Sequence, residues 1–324
     1  MTTVQNGSSC RNCISHNTIT LNQGTVAPFF LKRVHNVHVM SLGEQIYIKL
    51  TLPSPNTLFK KILKFSYTEL NNSTLGMKLF KFRSPAKVDI FVCKDCGFIC
   101  PAHIYEASQL LRLYSDYRSE SYNLERAFFE PKYRHIMNLV GKSEDEIQNR
   151  LDNVGSLIRK YTKLESIETV LDWGGGEGKF IPRELRNKKV FILDVSNEKL
   201  AEPTFTRIEQ PATNQKFDFI QVCHVLEHVS SPHDFLKNTL PYLNLGGYLY
   251  LEVPQDRTEE DIQRFIKSDS AAIHKIHEHL NLYSVQSIKA LANSLELKEL
   301  VVEKKEFNFG REKLTIVSGL FMKI

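Results

Sequence analysis

Asp172, Gly174, Gly176 and Gly178 stand at alternate positions in the chain, and Asp194 follows 22 residues after Asp172. Glycines in alternation serve a backbone that needs positive φ, or a surface kept clear of side chains for a ligand. The run opens as an apolar strand through Val170 and Leu171, ends on a carboxylate, and leads through the glycines toward an expected helix start. A strand, a glycine turn and a helix at the carboxyl edge of a parallel sheet hold a nucleotide-like cofactor. A dinucleotide fingerprint counted from Gly174 requires glycine where Lys179 stands, so that spacing does not fit. Residues 188–196 form a second β-rich run ending on Asp194, where the second strand of such a unit brings an acid to a ribose diol. One carboxylate can accept from both ribose hydroxyls. A strand-end aspartate that only forms a turn is the plainer alternative; the glycine run and the second acid together favour the ribose.

Two Cys-x-x-Cys pairs carry a different chemistry: Cys10 with Cys13, and Cys93 with Cys96, the second running into Gly97. Two such knuckles can offer four thiolates to one Zn²⁺ at about 2.3 Å each. The 79 residues between Cys13 and Cys93 exceed the common ribbon spacing. A small domain must then be inserted between the knuckles, and the strand-like segments 45–50 and 78–83 are its candidate parts. A redox dithiol is the competing reading, but neither pair opens a helix in a βαβ unit. Cys100 is a substitute ligand candidate, and Cys223, inside a strand pattern, reads as core.

The elements that position these residues are legible from periodicity. Residues 217–223 read as a strand, with His224, Glu227 and His228 passing over its carboxyl edge. Ser231, Pro232 and Asp234 then open a helix with a hydroxyl N-cap, proline in the first turn and an acid near the positive dipole end. Gly246 and Gly247 turn the chain into a strand over 248–254 that Pro254 stops. Ser284 caps a helix with apolar residues at Val285, Ile288, Leu291, Ala292 and Leu295. Residues 300–307 and 314–321 alternate as a closing hairpin. Upstream, residues 116–126 begin a helical linker, and Leu151, Val154, Leu157, Ile158 and Tyr161 form a stripe that should pack on the following domain. Tyr117, Tyr122 and Arg126 could close as a lid; plain packing is the simpler role.

The pattern Asp172-x-Gly174-x-Gly176-x-Gly178 resembles motif I of the class I S-adenosylmethionine-dependent methyltransferases, and the resemblance covers about residues 165–324. It implies an α/β, Rossmann-like fold: a mostly parallel seven-stranded sheet with a C-terminal antiparallel hairpin. The expected organisation is a Cys-x-x-Cys zinc-binding domain over 1–105, a helical linker or lid over 106–165, and an S-adenosylmethionine-binding domain over 166–324. The resemblance implies cofactor contacts from Asp172, Gly174, Gly176, Gly178, Asp194 and His224, and structural zinc on Cys10, Cys13, Cys93 and Cys96. A paired-cysteine domain ahead of this fold is similar to zinc-containing deoxysugar C-methyltransferases. The stretch Ile276-His277-Glu278-His279 resembles their Tyr-His-Glu-His segment, which makes His279 the first candidate base and His224 the second. The family tyrosine falls on Ile276, so that hydroxyl is missing and ketosugar C-methylation is in doubt. A metal on His274, His277 and His279 is disfavoured, because Glu278 is the only carboxylate near them in sequence.

The expected acceptor is a sugar or nucleotide-sugar in polysaccharide or secondary-metabolite biosynthesis. A small-molecule O-methyltransferase and an inactive scaffold on this fold are the alternatives. Residues 1–110 hold twelve Lys/Arg against five Asp/Glu, a basic balance that suits phosphates or is ordinary solvated lysine. No nucleic-acid-binding motif, Asn-Pro-Pro-Tyr tetrapeptide or Pro-Cys dipeptide is present, which disfavours nucleic-acid substrates. No run approaches the length of a membrane span. Residues 1–22 are polar, and six cysteines without a secretory pattern predict a reducing, cytoplasmic setting. The sequence sets no oligomeric state.

Overall fold

A computed structural model describes residues 9–35, 87–117, 119–130, 133–136, 143–196, 198–309 and 312–324. The expected strands at 45–50 and 78–83 lie outside the described residues. Two sheets organise the rest. The smaller has four strands in the order β3-β2-β1-β9, with β1 Thr18–Val26, β2 Lys87–Cys93, β3 Ile99–Pro101 and β9 His274–Ile276. The larger has seven, in the order β10-β11-β8-β7-β4-β5-β6. Its members are β4 Thr169–Trp173, β5 Lys189–Leu193, β6 Thr206–Ile208, β7 Phe217–Cys223, β8 Leu243–Pro254, β10 Leu297–Phe309 and β11 Glu312–Lys323. From β6 to β8 all neighbours are parallel, and β11 lies antiparallel to both β8 and β10. This is the mostly parallel, Rossmann-like seven-stranded sheet with a terminal antiparallel hairpin that the resemblance implies.

Period-two alternation sends side chains to opposite faces of this sheet. Leu171, Leu249, Leu251 and Val253 pack on one face against Ile288 and Leu291 of the helix Val285–Ser294. Val170, Phe219, Tyr248 and Tyr250 pack on the other face against Val154, Leu157 and Ile158 of the helix Glu144–Tyr161. The apolar stripe read from sequence thus faces the sheet. Ser231 and Ser284 cap their helices through the side-chain oxygen, at Asp234 N and Ser287 N respectively.

The expected helix after the glycine run does not form. Residues 174–188 make turns and a single 3₁₀ turn, Arg183–Leu185. Pro182 is the cause, since it drives Ile181 out of the helical region only a few residues beyond Gly178.

The two sheets are interlocked. β9 comes from late in the chain yet pairs parallel with β1, aligning Gly24 with His274 and Val26 with Ile276. This crossing brings Glu278 and His279, just past β9, beside His228 beyond the end of β7. The Cys10, Cys93 and Cys96 side chains are buried in the same cluster as Leu171, Leu251 and Ile288. Among the described residues, no helix is long and apolar enough to cross a membrane.

Candidate active site

The carboxyl ends of β4, β5, β7 and β8 meet at one edge of the large sheet. Gly174, Gly176 and Gly178 have φ of 79°, 55° and 82°. A Cβ at Gly174 would lie 2.3 Å from Val225 Cγ2, and one at Gly178 would lie 2.9 Å from Ile192 Cδ1. Glycine is therefore required by both conformation and space. Gly176 N donates to Asp194 Oδ2 at 2.8 Å, and Ser196 N donates to Asp194 Oδ1 at 2.7 Å. Asp194 is thereby fixed at the end of β5 against the glycine loop.

Asp172 is 1% exposed, and neither carboxylate oxygen has a hydrogen-bond partner. Its register neighbour on β7 is Gln221, fully buried and with an unpartnered amide. Burial pushes the Asp172 carboxyl up to about 7, and the nearby Asp194 charge adds to the rise; the Gln221 amide, close by but not in hydrogen-bond geometry, opposes it only in part. Orphaned buried acceptors beside a glycine cradle fit a cofactor that carries a sulfonium and an amino group. Asp172 is suited to face that positive end, and Asp194 the ribose.

His224 follows β7 in the left-handed region, at φ 54°. Its backbone N donates to Glu252 O at 2.8 Å, which fixes this turn against β8. The His224 ring lies between two carboxylates, with Nε2 3.4 Å from Glu252 Oε1 and Nδ1 3.3 Å from Glu227 Oε1. Glu252 accepts from Arg150 Nε at 2.7 Å and from Tyr250 Oη at 2.8 Å. Burial alone would raise the Glu252 carboxyl, but Arg150 and His224 hold it at about 2.

Beyond His224, Asn281 Nδ2 donates to Leu226 O and Val229 O, both at 2.7 Å, clamping the 3₁₀ turn Leu226–His228 to the segment after β9. His228 Nδ1 is 2.9 Å from Glu278 O and 3.1 Å from Tyr114 Oη. His279 Nδ1 is 2.7 Å from Asp256 Oδ2. Burial opposes charge on His279, yet the Asp256 carboxylate prevails and raises it to about 9. Arg126 contacts Glu278 at 2.6 Å, and Tyr122 Oη is 3.3 Å from the same carboxylate. Tyr122 and Arg126 are buried, so they pack and tether Glu278.

The four paired cysteines converge although 79 residues separate the pairs in sequence. Cys10 Sγ is 3.9 Å from Cys96 Sγ, and Cys13 Sγ is 3.7 Å from Cys93 Sγ. A tetrahedron with Zn–S of about 2.3 Å has edges of about 3.8 Å, whereas a disulfide needs about 2.05 Å. The donor set fits Zn²⁺. Cys100 lies outside the cluster, and its sulfur accepts from Arg11 at 2.8 Å. The first knuckle is tied to the large domain by Asn12 Nδ2, which donates to Ser287 O at 2.8 Å.

A family model described as a methyltransferase domain matches residues 137–300, half of the chain. The chain belongs to this methyltransferase family. It is a methyltransferase that uses S-adenosylmethionine. Among solved structures it is similar to a SAM-dependent methyltransferase from Methanosarcina mazei, at 15% identity over 52% of this chain and 97% of that one, TM-score 0.38. It is also similar to the N-methyltransferase NodS from Bradyrhizobium japonicum, at 16% identity over 56% and 99%, TM-score 0.38. A third is the N-terminal domain of EvdMO1 with SAH bound, at 14% identity over 55% and 82%, TM-score 0.35. No curated protein matches the chain.

In this methyltransferase, two loops that lack helices are held by Arg207 on β6. Its guanidinium donates to Gly176 O at 2.9 Å, Glu198 O at 2.7 Å and Ser196 O at 2.9 Å. Arg207→Ala is expected to raise KM for S-adenosylmethionine about tenfold or more with kcat little changed, since charged hydrogen bonds contribute about 1.5–3 kcal/mol. Steady-state kinetics in the cofactor checks it; an unchanged KM contradicts the clamp.

Several residues of the site escaped the sequence reading. Asp256 stands two residues past Pro254, where the strand pattern had ended. Arg150 lies within the helix read for its apolar stripe, and Tyr114 in the linker. The carboxylates near the histidines were read as Glu278 alone; Asp256 and Glu227 correct that, because sheet order and not chain order brings them in. A charged residue on a buried helix face was the one available signal, for Arg150.

Proposed function

We propose that this methyltransferase transfers the methyl group of S-adenosylmethionine to a hydroxyl of a sugar or nucleotide-sugar. The observation that carries the reading is two buried carboxylates without hydrogen-bond partners, one at the glycine loop and one beside His224. Asp172 lies toward the glycine loop, and Glu227, fully buried with both oxygens lacking hydrogen-bond partners, lies toward His279. The first suits the cofactor's positive end; the second suits the hydroxyl donors of a polyol. When bound, S-adenosylmethionine supplies an electrophilic methyl group. The chain orients it through Asp194 and the glycine loop, and orientation accounts for much of the rate. His279 is the first candidate to take the acceptor's proton and His224 the second, each from its neutral form, which for His279 grows as pH rises toward about 9. Ile276 is fully buried on β9, and the nearby Tyr114 hydroxyl lies 2.7 Å from Glu278 O and donates to it. Neither supplies the free tyrosine hydroxyl of the C-methyltransferase segment, which favours oxygen over carbon as the nucleophile.

In the same reading, Cys10, Cys13, Cys93 and Cys96 hold structural Zn²⁺, residues 1–105 form the metal-binding part and residues 166–324 the cofactor-binding part. The test is calorimetric titration with S-adenosylmethionine, then labelled-methyl transfer to a panel of nucleotide-sugars. Micromolar cofactor binding that Asp194→Ala loses, with product whose formation His279→Asn slows about 10²-fold or more, is the expected result. Folded protein that binds no cofactor would leave the scaffold alternative in its place.

A further inference from the structure

We infer that Glu227, His228 and His279 form a second metal site, for a divalent cation of the Zn²⁺, Mn²⁺ or Fe²⁺ class, beside the site of methyl transfer. One ligand-type atom from each of the three residues lies within 4.8 Å of the others, and Glu227 Oε1 is 3.8 Å from His228 Nε2. Two imidazoles and a carboxylate are the donor set of open, reactive metal centres.

Three further observations support the site. The first is how the rings are held. His228 Nδ1 faces Glu278 O at 2.9 Å, and a carbonyl cannot donate, so this nitrogen carries the hydrogen and Nε2 keeps the lone pair. His279 Nδ1 is engaged by Asp256 at 2.7 Å, so Nε2, 4.0 Å from Glu278 Oε1, is the nitrogen at which a metal would take the place of a proton. Metal-ligating histidines are oriented like this, with the second nitrogen bonded to a carbonyl or carboxylate.

The second is the state of Glu227. It is 0% exposed, and neither oxygen has a hydrogen-bond partner, with only the edges of two imidazoles at 3.3 and 3.8 Å. A buried carboxylate needs a counter-charge or donors.

The third is charge balance. Arg126 neutralises Glu278 and Arg150 neutralises Glu252, whereas among the described residues Glu227 and Asp256 face only imidazoles, His224 and His228 for the first and His279 for the second, with no Lys or Arg partner. A divalent cation balances the two. It leaves coordination positions open, and a hydroxyl that joins one has its pKa lowered. His279 then serves as ligand in place of base, and the proton goes to His224, the second candidate of the proposed function. This deepens the proposed function and rests on it only for the identity of the acceptor.

The experiment strips the full-length protein with chelator and titrates it with Co²⁺, following the absorption spectrum. Wild-type protein is expected to bind two equivalents, one with thiolate charge-transfer bands from the cysteine cluster and one without. Glu227→Gln and His228→Gln should each lose the second while keeping the thiolate bands, which also report that the cluster is folded. Asp256→Asn should weaken the second site about 10- to 100-fold. A wild type that binds only the thiolate-coordinated ion overturns the inference, as does a second equivalent that survives in both variants. Calorimetry with S-adenosylmethionine on the same samples reads the cofactor assignment separately, so intact cofactor binding without a second ion overturns the metal site alone.

Discussion

Asp172→Asn is expected to stabilise the free protein and to weaken S-adenosylmethionine binding at the same time. Burial raises this carboxyl from the ordinary 3.8 to about 7. A raised carboxyl binds its proton more tightly in the folded state, so the folded protein is favoured by protonation. Its stability therefore falls as pH rises from about 4 to about 7, and above that the ionised group costs about 4 kcal/mol in full. Asparagine does not ionise. The variant and the wild type should unfold alike near pH 4, and the variant should lead by up to about 4 kcal/mol at pH 8, as read from urea unfolding. Binding runs the other way. A positively charged cofactor needs the carboxylate, so wild-type affinity should drop up to about tenfold for each pH unit below 7. The variant should bind about 10- to 100-fold more weakly at pH 8 and lose this pH dependence, because a hydrogen bond to a charged group contributes about 1.5–3 kcal/mol. Calorimetry at pH 6, 7 and 8 measures both slopes. Equal affinities at pH 8 would remove Asp172 from the cofactor site.

Loss of the ion proposed for the four cysteines should unfold more than the N-terminal part. Cys10, Cys93 and Cys96 share one buried cluster with Leu171, Leu251 and Ile288 of the large domain, and Asn12 bonds directly to Ser287. Structural zinc contributes roughly 10–16 kcal/mol of apparent folding energy in small zinc domains. Cys96→Ser, or exhaustive chelation, is therefore expected to cost several kcal/mol here. At about 2–4 °C per kcal/mol for a domain of this size, the melting temperature should fall by 10 °C or more. The loss should spread to cofactor binding, since the same cluster supports β4. Differential scanning calorimetry with and without chelator reads it. A melt indifferent to chelator but shifted by reductant would favour a dithiol–disulfide role instead.

Local periodicity determined the strands, the capped helices, the terminal hairpin and the glycine cradle. Alternation and 3.6-residue spacing are written into neighbouring residues, and Ser231, Ser284 and Gly174 act on backbone within a turn of themselves. The spacing from Asp172 to Asp194 was legible for the same reason, since one βαβ-like unit fixes how far apart two adjacent parallel strands end. The expected helix after Gly178 failed on a local detail, Pro182, which competes with the pattern around it.

Tertiary structure alone decided what surrounds the catalytic candidates. β9 leaves the large domain to pair with β1, and this crossing turns His279 toward Asp256 and His228. The placement of Glu227 between His224 and His228, and of Arg150 on Glu252, likewise follows from which strand ends and helices lie side by side. Cys13 meets Cys93 across 79 intervening residues. Such partners are selected by sheet order and by burial of charge, which depend on the whole packed molecule. Pattern reading along the chain carries the donors and acceptors of a site; only the fold decides which of them face each other.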